Sequence, residues 1–405
     1  VKILIGADTY YPHVNGASYF AQRLAQYLHR RGHRVLVIAP SRTFQHEAYD
    51  SKGVEVWGMR SIPVLVYKNF RFSPPFLLGK MIDKQMQSWT PDVVHVQGHF
   101  FICRAVLKAA WDRSIPTVGT NHFMPENLSH YFPLPEAAKE LLQQWGWKQF
   151  RSVFEKVDIV TTPTKTAARL LQQIGLQKDA LPISCGIDRI RFCPSVDGAT
   201  LKGKFNIPEG KNILLYVGRL DKEKNIDLIL RGFCRVAHTV GLHCVIAGRG
   251  AEENRLKTLV RGLGLNERVT FTGFVSDKDL PGLYAMADCF IIAGTAELQS
   301  IVTMEAMASG LPVIGVRAMA LPELVQPGIN GCLFDPGDET GVADCIRAVF
   351  SDSSLRKRMR AGSLAVIERH DIQETINQFE TIYRRLATEK GHQARRLRAS
   401  RSVDL

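Results

Sequence analysis

Short runs of apolar and β-branched residues alternate along the chain with segments whose apolar positions recur three or four residues apart. This is the pattern of a parallel sheet covered by helices. In the first half the strand-like runs are residues 2–7, 34–39, 92–96, 116–120 and 158–162. Between the first two, Phe20, Leu24, Tyr27 and Leu28 share one helical face, and Gly32 stands where that helix would stop. A second series begins near Asn212, with strand-like runs at 213–217, 243–247, 269–272, 289–293 and 312–316. Ile226, Ile229, Leu230, Phe233 and Ala237 mark its first helix, and Leu256, Leu259, Val260 and Leu263 the next. The pattern predicts an α/β chain of two Rossmann-like parallel-sheet domains, joined within residues 182–194. Ligands of open α/β sheets sit beyond the carboxyl ends of the strands, so two such domains are expected to face an interdomain cleft.

Length and composition agree with this plan. The 405 residues are too many for one ordinary core and suit two domains. Hydrophobic residues make up 45% and charged residues 22%, which excludes a disordered or fibrous chain. No apolar run approaches the roughly 20 residues needed to span a bilayer. The chain already reads as a strand at residues 2–7, so neither a spanning helix nor a signal peptide is expected. Eight cysteines without a CxxC pair or a regular spacing suggest reduced, mostly buried thiols and a cytoplasmic setting. The net charge of +13 calls for an anionic partner, which composition leaves open between nucleotide phosphate, nucleic acid and an acidic membrane. Part of the excess lies after Tyr383, and residues 391–405 read as a basic, disordered tail.

Four features fall at the carboxyl ends of expected strands. Gly218-Arg219 follows 213–217, with Lys224-Asn225 close behind; a guanidinium and an ammonium there can converge on one diphosphate. Gly248-Arg249-Gly250 follows 243–247 and reads equally as a tight turn or a cofactor loop. Glu297 and Glu305 flank a helix start at Ser300-Ile301-Val302, whose N–H groups favour an anion. In the other half, Asn15-Gly16 follows the first strand and His122 follows 116–120, where a histidine can face the cleft. His95 and His99 are spaced like a metal pair, but they straddle a strand end, so no metal is expected.

Together these residues resemble glycosyltransferase family 4, whose members have the GT-B fold and retain anomeric configuration. The likeness covers most of the chain. It rests on Pro12-His13-Val14-Asn15-Gly16, Arg31-Gly32-His33, Gly186-Ile187-Asp188, Gly218-Arg219 with Lys224-Asn225, and Glu297 to Glu305 followed by Ala306-Met307-Ala308-Ser309-Gly310-Leu311-Pro312. It implies an acceptor domain at 1–184, a nucleotide-sugar donor domain at 185–368 and a helix at 369–390 crossing back to the first domain. Ile372, Ile376, Phe379, Ile382 and Tyr383 would form the seam of that helix. It further implies that Arg219 and Lys224 hold the donor diphosphate, Glu305 the ribose and Glu297 the transferred sugar. Backbone at Ser300, Ile301 and Val302 completes the phosphate site, Gly218, Gly248 and Val275 belong to the donor pocket, and Gly16 and His122 meet the donor from the first domain. His122, Glu297, Arg219 and Lys224 are the expected catalytic set, with no obligatory cofactor. Two positions depart from the family pattern. Cys185 stands where Asn is common, and Glu297-Leu298-Gln299-Ser300 replaces the commoner Glu-Gly/Ala-Phe-Gly.

Within the family, Pro12 to Gly16, Asn121-His122-Phe123-Met124-Pro125-Glu126-Asn127 and Glu297 to Val302 are most similar to bacterial diacylglycerol α-glucosyltransferases. That resemblance implies UDP-glucose as donor, a membrane lipid as acceptor, no nucleic-acid partner, and a peripheral place on the cytoplasmic face of an anionic membrane. Two stretches mix aromatic and basic groups as an interfacial surface would. The first holds Tyr67, Lys68, Phe70, Arg71, Phe72, Phe76, Leu77, Leu78 and Lys80; the second holds Trp145, Trp147, Lys148, Phe150, Arg151, Phe154 and Lys156. Both also read as ordinary core edged by solvated cations. The alternatives are a GDP-mannose-dependent mannosyltransferase acting on a phosphoinositide or soluble acceptor, a GT-B UDP-sugar epimerase, and a nonenzymatic basic protein.

Overall fold

The computed structural model describes residues 1–12, 15–64, 67–125, 135–238 and 241–401, without the side chains of 67–70, 77 and 390–401. His13, Val14, Glu126 and Asn127 of the motifs, the side chains of Tyr67, Lys68, Phe70 and Leu77, and most of the basic tail therefore lie outside the described residues. The chain divides into two compact units, Val1–Ser184 with Thr375–Leu405, and Cys185–Glu374.

The first unit is built on strands β1 (Lys2–Gly6), β2 (Arg34–Pro40), β3 (Glu47–Ser51) and β4 (Val54–Met59), a hairpin of β5 (Ile62–Val64) and β6 (Tyr67–Phe72), then β7 (Val93–Val96), β8 (Thr117–Thr120), β9 (Ile159–Thr162) and β10 (Ala180–Pro182). The hairpin stands apart, and the rest form one sheet ordered β10-β9-β8-β7-β1-β2-β4-β3. Only β3 runs antiparallel, against β4. The central strands are buried along nearly their whole length, as a sheet covered on both faces requires. The edge strand β3 reads Glu-Ala-Tyr-Asp-Ser with no residue fully buried, so no apolar run signals it. Helix Gly16–Arg30 starts at a reciprocal cap between Asn15 and Ser18. It buries Phe20, Ala21, Leu24, Ala25 and Leu28, each Leu or Phe contributing about 1.5–3 kcal/mol.

The second unit carries β11 (Asn212–Val217), β12 (Leu242–Ala247), β13 (Val269–Gly273), β14 (Cys289–Ile292), β15 (Val313–Val316) and β16 (Gly331–Phe334), in the order β13-β12-β11-β14-β15-β16. Every pairing in it is parallel. The helix expected to hold Ala237 is shorter, Ile226–Cys234; Ala237 is still buried, from the turn that follows. Leu263 likewise lies past the end of helix Glu253–Gly262.

The last helix, Ile372–Arg401, begins in the second unit and belongs to the first from Thr375 onward. Its seam of Ile376, Phe379, Ile382, Tyr383 and Leu386 is buried. Phe379 lies 5.9 Å from Phe20 and 5.2 Å from His95, ring centre to ring centre. Glu380 accepts from Arg31 at 2.9 Å and lies 3.2 Å from His33 Nε2, tying the helix to the turn before β2. The helical backbone continues to Arg401, into the segment that composition alone reads as a disordered end. No helix among the described residues is long and apolar enough to cross a membrane. All eight cysteines are free, with Cys103, Cys185, Cys244, Cys289 and Cys345 buried.

Candidate functional site

Each sheet changes direction of winding at one place: between β1 and β7 in the first unit, and between β11 and β14 in the second. Loops leaving neighbouring strands diverge at such a point and leave a crevice at the carboxyl edge. In the second unit the loop after β11 carries Arg219 and Lys224, and the loop after β14 carries Glu297. Chain order keeps these residues more than 70 positions apart, and topology makes them neighbours: Lys224 Nζ donates to Glu297 Oε1 at 2.7 Å.

The loops are held there by backbone. Gly218 N donates to Ala247 O at 3.0 Å, and Leu220 N to Arg249 O at 2.9 Å, so the β11 and β12 loops run together past the sheet. A Cβ on Gly248 would lie 1.8 Å from Gly218 O, and one on Gly250 2.3 Å from Leu220 O. No side chain fits at either, which turns the weak Gly248-Arg249-Gly250 motif into a packing requirement. Asn225 adopts a left-handed conformation, φ 49°, between the short turn Lys222–Lys224 and helix Ile226–Cys234, and its side chain donates to Ala293 O at 3.1 Å. That bond joins the base of the β11 loop to the end of β14.

Arg219 pairs with Asp221 and, at 2.6 Å, with Glu223, both of them buried. The hydroxyl of Tyr216 donates to Arg219 O at 2.9 Å. Burial first, then the Glu297 carboxylate, push the Tyr216 phenol far above its ordinary pKa, so it stays a donor. The site therefore holds two cations, each already matched by carboxylate. Their positions are fixed, and an incoming anion exchanges partners with an oriented group instead of ordering a floppy one.

Ser300 caps helix Ile301–Ala308, its hydroxyl accepting from Thr303 N at 3.3 Å. The first-turn amides of Ile301 and Val302 precede the intrahelical ladder and give this end its positive character. Glu305, one turn on, is buried and accepts from Tyr284 at 2.9 Å. Val275 lies half-buried in the loop after β13. The two departures from the family pattern touch each other: Gln299 Oε1 accepts from Cys185 N at 2.7 Å, linking the loop after β14 to the first residue of the second unit. Spacing along the chain gives no hint of that contact.

In the first unit Gly16 is exposed at the first turn of its helix. His122 is packed against Phe20 at 4.8 Å, and its Nε2 meets Gln97 Oε1 at 3.0 Å. Burial pulls its pKa down to about 4, so it is neutral at physiological pH. Gln97 also reaches His95, whose ring contacts Tyr383 and Thr120 oxygens at 2.6 Å each; Thr120 in turn meets Thr161 at 2.6 Å. His95, drawn down to about 3 by burial, thus sits inside a neutral polar network and not beside His99, which packs among Phe100, Phe123 and Phe150. Gln97 and Asp8 are residues that sequence reading missed, and Tyr383, read there only as part of the helix seam, brings its hydroxyl to His95. Asp8, just after β1, accepts from the backbone N–H groups of Phe100 and Ile102 and so caps helix Phe101–Trp111 from another strand. No local capping signal precedes that helix, and an Asp beyond the first strand is the only trace of it in the sequence. Among the described residues no cluster of three or more His, Cys, Asp or Glu is placed to hold a metal.

Comparison with known proteins fits both halves. Residues 14–191 match the family model "Glycosyltransferase Family 4", and residues 197–363 match "Glycosyl transferases group 1". An alpha-monoglucosyldiacylglycerol synthase of Streptococcus pneumoniae is 26% identical over 94% of this chain and 85% of its own length. A GDP-mannose-dependent alpha-mannosyltransferase of Mycobacterium tuberculosis is 28% identical over 84% of this chain and 85% of its own. Among solved structures, sucrose-phosphate synthase from Thermosynechococcus elongatus has a TM-score of 0.79 at 19% identity, covering 96% of this chain and 99% of its own. Anabaena Alr3699/HepE in complex with UDP-glucose has a TM-score of 0.74 at 19% identity, covering 94% and 99%. With both halves matched by sugar-transferring families and the GT-B fold shared with its structural neighbours, the chain belongs to glycosyltransferase family 4 and is a hexosyltransferase.

Proposed function

We propose that the chain is a retaining glucosyltransferase that moves glucose from UDP-glucose to the hydroxyl of a membrane lipid such as 1,2-diacylglycerol. The observation that carries the reading is the oriented charge at the switch point of the second sheet, where Lys224 and Glu297 meet at 2.7 Å beside the Arg219 loop. In the proposed roles Arg219 and Lys224 take the two phosphates, Ser300 to Val302 offer backbone N–H groups, Glu305 holds the ribose, and Glu297 holds the hexose hydroxyls. Gly218 and Gly248 let the backbone approach the donor closely, with Val275 at its side. As the anomeric bond breaks, negative charge gathers on the departing diphosphate. Fixed cations and amides stabilise that charge more than they stabilise the bound donor, which is what lowers the barrier. The leaving phosphate oxygen then takes the acceptor proton on the same face, so configuration is retained. In the same reading Gly16 and the neutral His122, both residues of the first unit, serve to orient hydroxyl groups.

The lipid acceptor is supported by the S. pneumoniae relative and by a second alpha-monoglucosyldiacylglycerol synthase, from Acholeplasma laidlawii, 26% identical over 84% of this chain. It implies peripheral work at the cytoplasmic face of an anionic membrane. The test is to offer labelled UDP-glucose with dioleoylglycerol in mixed micelles and extract the lipid. Label in a glucolipid of α-configuration is expected, and label confined to the aqueous phase rejects the acceptor. The mannosyltransferase relative favours one other reading, GDP-mannose as donor. Competition by UDP against GDP separates the two.

A further inference from the structure

Away from the loops described above, the first unit contains a cavity of about 880 Å³ between helices Gly79–Trp89, Phe101–Trp111 and Glu136–Phe154. Its volume is at the upper end of the roughly 300–1,000 Å³ usual for small-molecule sites. One end lies at the carboxyl edge of the sheet, just beyond β7, where His99, Phe100 and Phe123 form the wall. These rings pack edge to face at 5.0 Å, from Phe100 to Phe123, and give a firm apolar surface. From there the cavity follows helix Phe101–Trp111 past Ala105 to Asp112, about 16 Å at 1.5 Å per residue.

Three features of this cavity point to one kind of occupant. It is long, and mostly apolar along Phe101, Ala105, Leu142 and Trp145. Large apolar side chains stand exposed along it: Trp145 is 59% exposed and Phe101 37%. Phe76 and Leu141, chain neighbours of lining residues, are 85% and 67% exposed. A water-soluble ligand gives no reason to maintain such a rim, whereas an interface with hydrocarbon does. At the sheet end stands one buried polar group: the His99 Nδ1 has no hydrogen-bond partner among the described residues, although the residue is only 1% exposed. A neutral imidazole there can donate to an ester carbonyl or accept from a hydroxyl. Arg104 braces the floor, donating to His99 O at 2.7 Å and to Gln149 Oε1 at 3.0 Å, and so ties helix Phe101–Trp111 to helix Glu136–Phe154.

We infer that this cavity holds one hydrocarbon chain of the lipid acceptor, with the glycerol end of the lipid at His99 and the chain lying along helix Phe101–Trp111. The inference rests on the lipid-acceptor reading and extends it by naming where the tail goes. The sheet end of the cavity is also the edge at which the first unit's Gln97 and His122 meet, so a lipid seated this way presents its free hydroxyl at that edge. Its remaining chain stays in the membrane, and the exposed rim contacts the bilayer surface.

The experiment uses the whole chain in detergent micelles and, as probe, a diacylglycerol brominated in mid-chain, which quenches tryptophan on contact. Fluorescence of the protein is expected to fall with brominated but not with unbrominated lipid, and the fall should shrink in Trp145→Phe. Ala105→Phe, which fills the cavity, and Leu142→Glu, which charges its half-buried wall, should each weaken probe binding at least tenfold while UDP affinity stays unchanged. In turnover they should raise KM for dioleoylglycerol and leave that for a short-chain dihexanoylglycerol unaltered. Equal quenching by brominated and unbrominated lipid, or equal probe affinity in the wild type and both variants, overturns the inference. Glucolipid formed with an unaltered long-chain KM in both variants also overturns it, and leaves the acceptor reading standing. Specific quenching without any glucolipid rejects diacylglycerol as acceptor and retains the cavity as a lipid-chain site.

Discussion

The two sheets gather polar groups at the same edge but make them of opposite kinds. In the second unit the edge is ionic: Arg219 with Asp221 and Glu223, and Lys224 with Glu297. In the first it is neutral and largely buried: Tyr383, His95, Gln97 and the half-buried His122 form one chain of contacts, with Thr120 and Thr161 as a branch. The same architecture thus supports two electrostatic environments. Full charges suit a diphosphate, whose charge rises as it departs. Neutral donors and acceptors suit hydroxyl groups, which need direction without charge.

The sharpest way to break this comparison is to remove charge from the ionic edge. Lys224→Ala and Glu297→Ala should each lower kcat by about 10²–10³-fold, the range for losing one preorganised group that faces transition-state charge. Circular dichroism should show the fold unchanged, and full turnover in both variants would detach the ionic edge from chemistry. Arg219→Ala should likewise lower kcat, since its guanidinium is assigned to the departing diphosphate. It also leaves the buried Asp221 and Glu223 carboxylates without their guanidinium, so a lower Tm is expected beside the kinetic loss.

On the neutral edge the expected signature is in stability. Burial holds His95 near 3 and His122 near 4, below the ordinary histidine value of 6.5. The unfolded chain therefore binds protons that the folded chain refuses. Stability is full above about pH 6.5 and is lost as pH falls from there through about 4 for His122 and toward about 3 for His95. His95→Phe should cost about 1–3 kcal/mol at pH 8, because it strands the Thr120 and Tyr383 hydroxyls, and it should flatten the acid dependence of Tm. An unchanged pH slope would mean that His95 is not neutral in the fold.

Two smaller effects probe how each edge is anchored. Gln299→Leu removes the acceptor for Cys185 N and should cost about 1 kcal/mol in thermal unfolding, with a change in hexose selectivity if the loop after β14 shifts. Glu380 is held down to about 2 by hydrogen bonds from Arg384, Arg31 and His33. Its contribution is present above about pH 4.5 and is lost as pH falls from there toward about 2. Glu380→Gln should therefore lower Tm slightly at pH 7 and leave it unaltered near pH 2.

The alternation of apolar runs with helical stripes was enough to read two parallel sheets and their central strands, because a strand buried on both faces must be apolar throughout. Edge elements escaped that reading. The strands β3, β5 and β16 carry too few buried residues to stand out from loop. Gly218, Gly248, Arg219, Lys224, Glu297 and Ser300 were legible as residues beyond strand ends because the apolar runs before them mark where β11, β12 and β14 stop.

What the sequence determined by itself is periodic or compositional: which segments form the central strands, where helices begin, and which loops carry charge. Tertiary structure alone decided the pairings that cross long stretches of chain. Asp8 caps a helix more than 90 residues away, Tyr383 completes the hydrogen bonding of His95 across 288 positions, and Gln299 reaches back to Cys185. The physical reason is that burial obliges a polar group to find a partner without specifying where along the chain that partner lies. Only the packed sheets, by fixing which loops meet at each winding switch, make that choice.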